Sequence, residues 1–553
     1  MQSRLNLLAL CLAISQGSAA GAQDALDQTD PSQEEERRTE FAPAPQSVRI
    51  EFEPVLSTPS IRTEQARIDV GAIVIDGLIA MERSEFAPVL NDYMGRTLES
   101  SDLAQLTDSI AGLARARGYL FANAWIAPQP LVAGTLRVQV DEGVIDEIRV
   151  LGSQDPAIPR MLEPLRNGRP VSIAALERQV LLADDLPGVH LRGTRFEREG
   201  DSGVLIVEAS RQDWVGRASF ATDGTRPVGP ERARIDVDAN GLLFDSDGVD
   251  FSFTVTPFEP DELIFFSTRY SVVLGSAGTL LSVFGSYSKT EPGAYLSDNE
   301  ILGESWRAGV RVRHPVIRRR SGGLWLEGSA EVQDLSQDRF GALARHDRIS
   351  VARLGAYGFL DMGDKGIGGV LRSRLTISQG LDLFGATHLG DALASRLDAP
   401  VDFTTVDWWI GYSRNLGSGI SLSLDAAAQL ATTPVLVGED IGLGGNFYLR
   451  GYDFSTRTGD KGIMGVGELR YDLPGALGPL EQVQLYAFAD GGVVGNLADG
   501  TGGGSLASSG GGLRADITNR LDFGVEVAVP LTGPRYDTDD ESPRINLRVS
   551  QSF

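Results

Sequence analysis

The sequence predicts two small α+β modules followed by an all-β transmembrane barrel of about 16 antiparallel strands. Beyond Arg211, apolar and polar residues alternate with a period of two, as required of strands between lipid and a polar lumen. A secretory leader is present, yet no later apolar run is long enough for a spanning helix. All the long connections between the inferred strands are odd-numbered.

Residues 1–22 are predicted to form a signal peptide. Arg4 supplies the positive charge, Leu5 to Ile14 the apolar core, and Ala20-Gly21-Ala22 the cleavage site. The core is far shorter than the roughly 20 residues of a spanning helix. The single cysteine, Cys11, lies inside this leader, so no cysteine would remain for a disulfide or a metal site.

The formal net charge of −25 argues against nucleic acid as a partner. Residues 23–66 are acidic, contain prolines and show no periodicity, which favours a linker. A short charged helix over residues 31–41 is the alternative.

Residues 67–142 and 143–210 repeat one order of patterns: a strand, an amphipathic helix and a closing Gly-x-Leu-x-Val strand. The closing strands include Gly134–Val138 and Gly203–Val207. This repeat predicts two copies of one module with a helical layer on a three-stranded sheet. The helix faces are predicted from a 3.6-residue period at Leu103, Leu106, Ile110 and Leu113, and at Ile173, Leu176, Val180 and Ala183.

Residues 211–553 are predicted to form the barrel, with an even number of strands as in bacterial barrels. The sixteen strands are expected near 214–223, 232–240, 248–257, 263–274, 279–289, 304–314, 322–334, 347–360, 367–379, 402–415, 418–431, 462–473, 481–494, 508–518, 520–530 and 543–553.

The odd-numbered connections include all the long ones, such as 290–303, 380–401, 432–461 and 531–542, whereas the even-numbered ones are short. Long extracellular loops and short periplasmic turns are the rule for outer-membrane barrels. The modules are therefore expected in the periplasm. The alternative, a soluble β-sandwich, predicts no such regularity.

The last predicted strand alternates up to the aromatic Phe553, with Gln551 departing from the pattern. A terminal aromatic residue on an amphipathic strand is the signal by which barrels are recognised for insertion. Outer-membrane lipid and the barrel-assembly machinery are thus expected partners.

Four motifs, together with two modules before a barrel, resemble the two-partner secretion transporters (the TpsB family of haemolysin and filamentous-adhesin exporters). Leu181–Val189 (LLADDLPGV) resembles a turn in the second POTRA domain, and Ser378–Ala386 (SQGLDLFGA) a mid-barrel motif. Gly444–Tyr452 (GGNFYLRGY) resembles the sixth extracellular loop. Phe488–Gly492 (FADGG) resembles the F-x-D-x-G motif, on the thirteenth predicted strand.

The resemblance implies that 67–142 and 143–210 are POTRA domains in the periplasm of a Gram-negative bacterium, ahead of an outer-membrane barrel. It implies export of a large unfolded partner, whose N-terminal secretion domain the POTRA domains bind. Residues 31–41 would be a short counterpart of the family's plug helix. A barrel-assembly or autotransporter-assembly insertase, or a passive porin, is the alternative function.

Arg450 and Asp490 are expected to pin the long loop inside the lumen. Asp490 shares a strand face with Phe488, opposite the apolar Leu485, and should point inward. A guanidinium and a carboxylate can form a bidentate pair there. The motif residues expected beside the pair are Leu449, Gly451, Tyr452, Phe488 and Gly492.

No pattern in the sequence indicates a catalytic, cofactor or metal site. The histidines are scattered without metal-ligand spacing, at His190, His314, His346 and His388. Neither a nucleophile elbow nor a P-loop occurs. The acidic stretch Asp537–Glu541 is expected to be a solvated loop, with weak calcium binding as the alternative. An enzyme is therefore not expected.

Overall fold

The computed structural model of the protein describes residues 67–129, 134–200, 202–363, 368–475, 480–498, 500–535 and 540–553. The predicted leader, the segment 23–66 with its candidate helix 31–41, and most of the acidic stretch Asp537–Glu541 lie outside the described residues. Within the described ranges, no helix is long and apolar enough to cross a membrane.

The first unit is an α/β sandwich. Strand β2 pairs in parallel with β5, which pairs antiparallel with β4, and β1 pairs with β3. Helix α2 begins after a capping box formed by Glu99 and Asp102, and it buries three of the four residues on its predicted face. The elements are β1 (Ile68–Val70), β2 (Ala72–Asp76), α1 (Ala87–Leu90), β3 (Arg96–Leu98), α2 (Ser100–Ala116), β4 (Asn123–Trp125) and β5 (Thr135–Asp141).

The second unit repeats this arrangement. Strand β6 pairs in parallel with β8, and β8 pairs antiparallel with β7. The predicted helix face is buried except at Ile173, which is 38 % exposed because it is the first residue of its helix. The elements are β6 (Glu147–Leu151), α3 (Ala157–Leu162), α4 (Ile173–Asp184), β7 (Val189–Glu199) and β8 (Ser202–Arg211).

Sixteen antiparallel strands then form a closed barrel, which confirms the predicted fold class. The last strand closes it against the first through five registered pairs, from Arg548↔Ala221 to Ser552↔Arg217. The strands are β9 (Trp214–Ala221), β10 (Arg232–Asn240), β11 (Asp247–Val255), β12 (Ile264–Leu274), β13 (Thr279–Thr290), β14 (Ile301–Arg319), β15 (Gly322–Arg339), β16 (Ala342–Asp361), β17 (Val370–Gly380), β18 (Thr404–Gly417), β19 (Ile420–Ala431), β22 (Lys461–Asp472), β23 (Gln482–Gly495), β24 (Gly504–Thr518), β25 (Leu521–Pro530) and β26 (Arg544–Ser552). Strands β20 (Ile441–Leu443) and β21 (Arg457–Gly459) form a separate hairpin.

The connection predicted over residues 335–346 is instead the end of a long hairpin. β15 and β16 stay paired up to Arg339↔Ala342 and turn at Phe340 and Gly341, which have φ of 51° and 70°. The register shifts between Gln337 and Asp338, and this irregularity interrupts the period-two pattern from which the sequence predicts strands.

Candidate functional site: a loop inside the barrel and a docked second unit

The segment between β19 and β22, residues 432–460, folds into the barrel lumen, and we call it the luminal loop. Its buried side chains include Leu443, Leu449 and Tyr452. They pack against three buried residues on the barrel strands, Met464 of β22, Val494 of β23 and Leu506 of β24. The alternation that creates a polar lumen thus also presents a small apolar surface on which this loop rests.

Arg450 anchors the tip of the luminal loop. Its side chain is 7 % exposed, and its Nη1 donates to Glu468 at 3.0 Å and to Glu526 at 2.9 Å. The guanidinium carbon also lies 3.4 Å from the ring centroid of Phe488. One cation therefore ties the loop to β22, β23 and β25 by charge-assisted hydrogen bonds and a cation–π contact.

Asp490 holds the loop in another way. Its Oδ2 accepts a hydrogen bond from the backbone N–H of Arg450 at 3.1 Å, and its Oδ1 accepts one from the Ser508 hydroxyl. The Arg450 Nε lies 3.7 Å away and donates no hydrogen bond to Asp490. Arg450 and Asp490 therefore form an ion pair at 3.7 Å, but not the expected bidentate one. Glu468 and Glu526 accept the hydrogen bonds of the guanidinium, and Asp490 accepts that of the Arg450 backbone.

The neighbouring motif residues make close contacts around this anchor. The Gly451 N–H donates to Ser508 Oγ at 3.1 Å, and a Cβ on Gly451 would lie 2.8 Å from Ser508 Cβ. Tyr452 is fully buried, and its hydroxyl donates to the carbonyl of Ala507 at 3.2 Å. A Cβ on Gly492 would lie 2.8 Å from Leu443 of the loop. Both glycines therefore permit a backbone approach that larger residues would block.

A second anchor, missed from the sequence, holds the start of the loop. The Arg353 guanidinium of β16 donates two hydrogen bonds to the Glu439 carboxylate, at 3.0 and 2.6 Å. The same guanidinium donates to Glu331 and to Ser378, each at 2.6 Å. Ser378 opens the mid-barrel motif, so this motif contacts the anchor. The luminal loop therefore bridges β16 and the β22–β25 side of the barrel.

The second unit docks at the other end of the lumen. The Arg318 guanidinium donates two hydrogen bonds to Asp185, both at 2.8 Å, and Arg320 pairs with Glu177 at 3.0 Å. Arg178 donates to the carbonyl of Pro315 at 2.9 Å. Asp185 of the LLADDLPGV segment and the side chains of helix α4 therefore dock the second unit onto the end of β14 and the turn after it. This contact could not be predicted from the sequence, because Asp185 and Arg318 are 133 positions apart.

A cavity of about 1280 Å³ lies between the luminal loop and the docked second unit. The luminal loop lines it with Glu439, Tyr448 and Phe454, and helix α4 and the residue after it contribute Leu182 and Asp185. The lumen is thus bounded by a loop on one side and by the docked unit on the other. Within the described part of the chain, no group of three or more His, Cys, Asp or Glu side chains is arranged to hold a metal ion.

Replacing Asp185 with asparagine is expected to loosen the docked unit. Arg318 is 3 % exposed, and a buried cation without its carboxylate costs on the order of a few kcal/mol. Spin labels at the exposed Asn167 and Ser321 should therefore give a broader distance distribution in Asp185→Asn than in the parent. Glu199→Gln, which alters an exposed ion pair with Arg149, is the control, and equal broadening in both variants would contradict the expectation.

Comparisons with known proteins identify the family to which this architecture belongs. A family model described as haemolysin secretion/activation protein ShlB/FhaC/HecB matches residues 200–515, more than half of the chain. The chain belongs to this family. A model of the ShlB-type POTRA domain matches residues 68–143. This member of the ShlB/FhaC/HecB family is therefore an outer-membrane β-barrel transporter of the two-partner secretion type, with a POTRA domain in the periplasm.

Relatives and solved structures agree with this assignment. The heme/hemopexin transporter protein HuxB of Haemophilus influenzae is 22 % identical over 402 residues, covering 70 % of this chain and 69 % of HuxB. The outer membrane transporter CdiB of Escherichia coli is 25 % identical over 183 residues, about a third of each chain. The solved structure of Escherichia coli CdiB has a TM-score of 0.71 at 20 % identity and covers 98 % of this chain and 100 % of CdiB. BamA of Haemophilus ducreyi, at 13 % identity and a TM-score of 0.52, covers 88 % of this chain and 100 % of that structure and shares the fold.

Family membership bears on the three functions that the sequence left open, namely exporter, insertase and passive porin. It favours the exporter over the insertase and the passive porin. The family is a class of secretion pore and not a class of enzyme.

Proposed function

We propose that this transporter exports one large, unfolded, haemolysin- or adhesin-like partner protein, captured in the periplasm through its N-terminal secretion domain. The observation that carries the proposal is a lumen bounded by a loop held by ionic anchors and by a docked periplasmic unit. Both boundaries depend on a few side chains, so both can be displaced and restored as a chain passes.

Capture takes place on the two N-terminal units, which we propose both act as POTRA domains. The second unit repeats the topology of the first, which is the support for assigning it the same role. Among the residues that the structure describes, the edge strands of the two three-stranded sheets are β2 and β4 in the first unit and β6 and β7 in the second. An extended segment of the partner adds to such an edge by β-augmentation, where main-chain hydrogen bonds give affinity without a fixed sequence.

Translocation then needs no nucleotide. The partner enters the lumen past the second unit, displaces the luminal loop and folds outside, and its folding draws the remaining chain outward. Transporter assembly uses the barrel-assembly machinery, which recognises the last strand with Phe553. The outward-facing row of the barrel, including the exposed Trp306, Val310 and Val312 on β14, contacts outer-membrane lipid.

Where a large secreted protein is encoded beside this chain, its export tests the function. Cells that lack the transporter should retain this protein in the periplasm, and the parent chain supplied in trans should restore its export. The levels of unrelated outer-membrane barrels should not change, whereas loss of an insertase would lower them. Undiminished export without the transporter would disprove the proposal.

A further inference from the structure

Four arginines line one side of the lumen between the luminal loop and the docked unit. Arg311 and Arg313 occupy successive inward positions of β14, and Arg372 and Arg374 occupy those of β17. All four border the cavity of about 1280 Å³, and we call them the arginine wall. The whole chain has a net charge of −25, so a cluster of four positive side chains contrasts with the acidic character of the rest of the protein.

Aromatic rings support the arginine wall. The guanidinium carbon of Arg311 lies 5.1 Å from the ring centroid of Phe284. The Tyr357 ring is approached by Arg313 at 6.0 Å and by Arg374 at 5.4 Å, and it stacks on Trp325 with 4.9 Å between centroids. A guanidinium beside a ring is held by cation–π attraction, which does not itself use the in-plane N–H donors. The wall is therefore pre-organised before any ligand arrives.

Part of the hydrogen-bonding capacity of the wall is unused. The Nε atoms of Arg311 and Arg372 are buried, and neither donates to an acceptor in the part of the chain that the structure describes. Glu327 supplies one carboxylate, 3.4 Å from Arg311 Nε. A buried donor without an acceptor is costly, so an acceptor brought by a ligand would stabilise the lumen.

The spacing of the wall fits an extended polypeptide. Arginines two residues apart on a strand are separated by roughly 7 Å, which is also the repeat of side chains on one face of an extended chain. Carboxylates at alternate positions of such a chain would meet successive guanidinium groups. Several weak contacts in a row hold a chain in the lumen and still allow it to move on.

We propose that the arginine wall binds carboxylate-bearing, extended segments of the exported chain during passage. The proposal rests on the export function and assigns its lumen a preferred chemistry. The acidic side chains of the partner are the ligands, and the four arginines are the binding residues. Inorganic anions share the ligand chemistry, but they offer a single charged group and so engage fewer arginines.

A fluorescein-labelled oligoglutamate peptide tests this by fluorescence anisotropy with the detergent-solubilised full chain. The parent protein should bind the peptide at low salt, and an oligoglutamine peptide should not bind. The double variant Arg311→Gln/Arg313→Gln should bind about tenfold more weakly. Arg217→Gln is the control, because Arg217 also borders the lumen but lies opposite Asp236 on β10, and its affinity should match the parent.

Equal affinity in the parent and the double variant, or no saturable binding at all, would overturn the inference. Displacement of the peptide by sulfate at equal total charge would also overturn it, since the wall would then be an inorganic-anion site. The migration of unheated protein in electrophoresis verifies that each variant is folded. Peptide binding requires no export, so failure here with intact partner export rejects the arginine wall alone.

Discussion

Replacing Arg450 with alanine is expected to lower partner export by about tenfold or more while the barrel remains in the outer membrane. The change removes the guanidinium from the part-buried Glu526, which keeps the hydrogen bond from the Tyr486 hydroxyl, and such a loss costs up to a few kcal/mol, on the order of a broken ion pair. Few contacts oppose the ordering entropy of the loop tip, so the tip should detach, and the loop should no longer return to one defined position after it is displaced. Immunoblots of secreted partner and of heat-modifiable barrel measure the two effects.

Arg470→Gln is the matched control. Arg470 also binds Glu468, at 2.7 Å, but it belongs to β22 and not to the loop. It should therefore leave export near the parent level. Comparable loss in Arg470→Gln and Arg450→Ala would show that the charge of Glu468, and not the loop anchor, matters.

Asp490 variants distinguish a backbone anchor from a charge pair. Asp490→Ala should impair export strongly, and Arg450→Ala/Asp490→Ala should be about as impaired as either single variant, because both release one loop. Asp490→Asn retains an oxygen for the Arg450 N–H and should keep most of the export. Loss of export in Asp490→Asn, or additive losses in the double variant, would contradict this arrangement.

Deleting residues 67–142 is expected to abolish export without removing the barrel from the membrane. The deleted unit has its own core, which includes Phe86, Leu106 and Val138. The barrel closes through β26 and β9, far along the chain from the deletion. The partner should therefore accumulate in the periplasm for lack of its capture surface, while the amount of heat-modifiable barrel stays close to that of the parent.

A second variant guards against damage to the remaining unit. Phe121 belongs to the deleted residues but stacks on Phe196 at 4.3 Å, so the deletion exposes part of the second core. The deletion combined with Phe196→Ser removes this exposed ring and should be equally inactive. Normal export by either truncated chain would reject capture by the first unit.

The sequence by itself determined the strand count, the strand faces and the repeat of the N-terminal units. Lipid on one side and a polar lumen on the other impose the period of two along each strand, so alternation near Asp490 already shows which side chains face inward. Helix periodicity likewise identified the buried Leu106 and Val180, because a helix on a sheet must bury one face.

Only the tertiary structure decided which inward-facing groups meet. Glu468 and Glu526 lie on strands β22 and β25, but their contact with Arg450 depends on the path of a loop through the barrel. The Arg353–Glu439 and Arg318–Asp185 pairs join segments 86 and 133 positions apart. Local patterns report the environment of a residue, whereas such pairings follow from barrel closure and unit docking, and these are set by the whole chain.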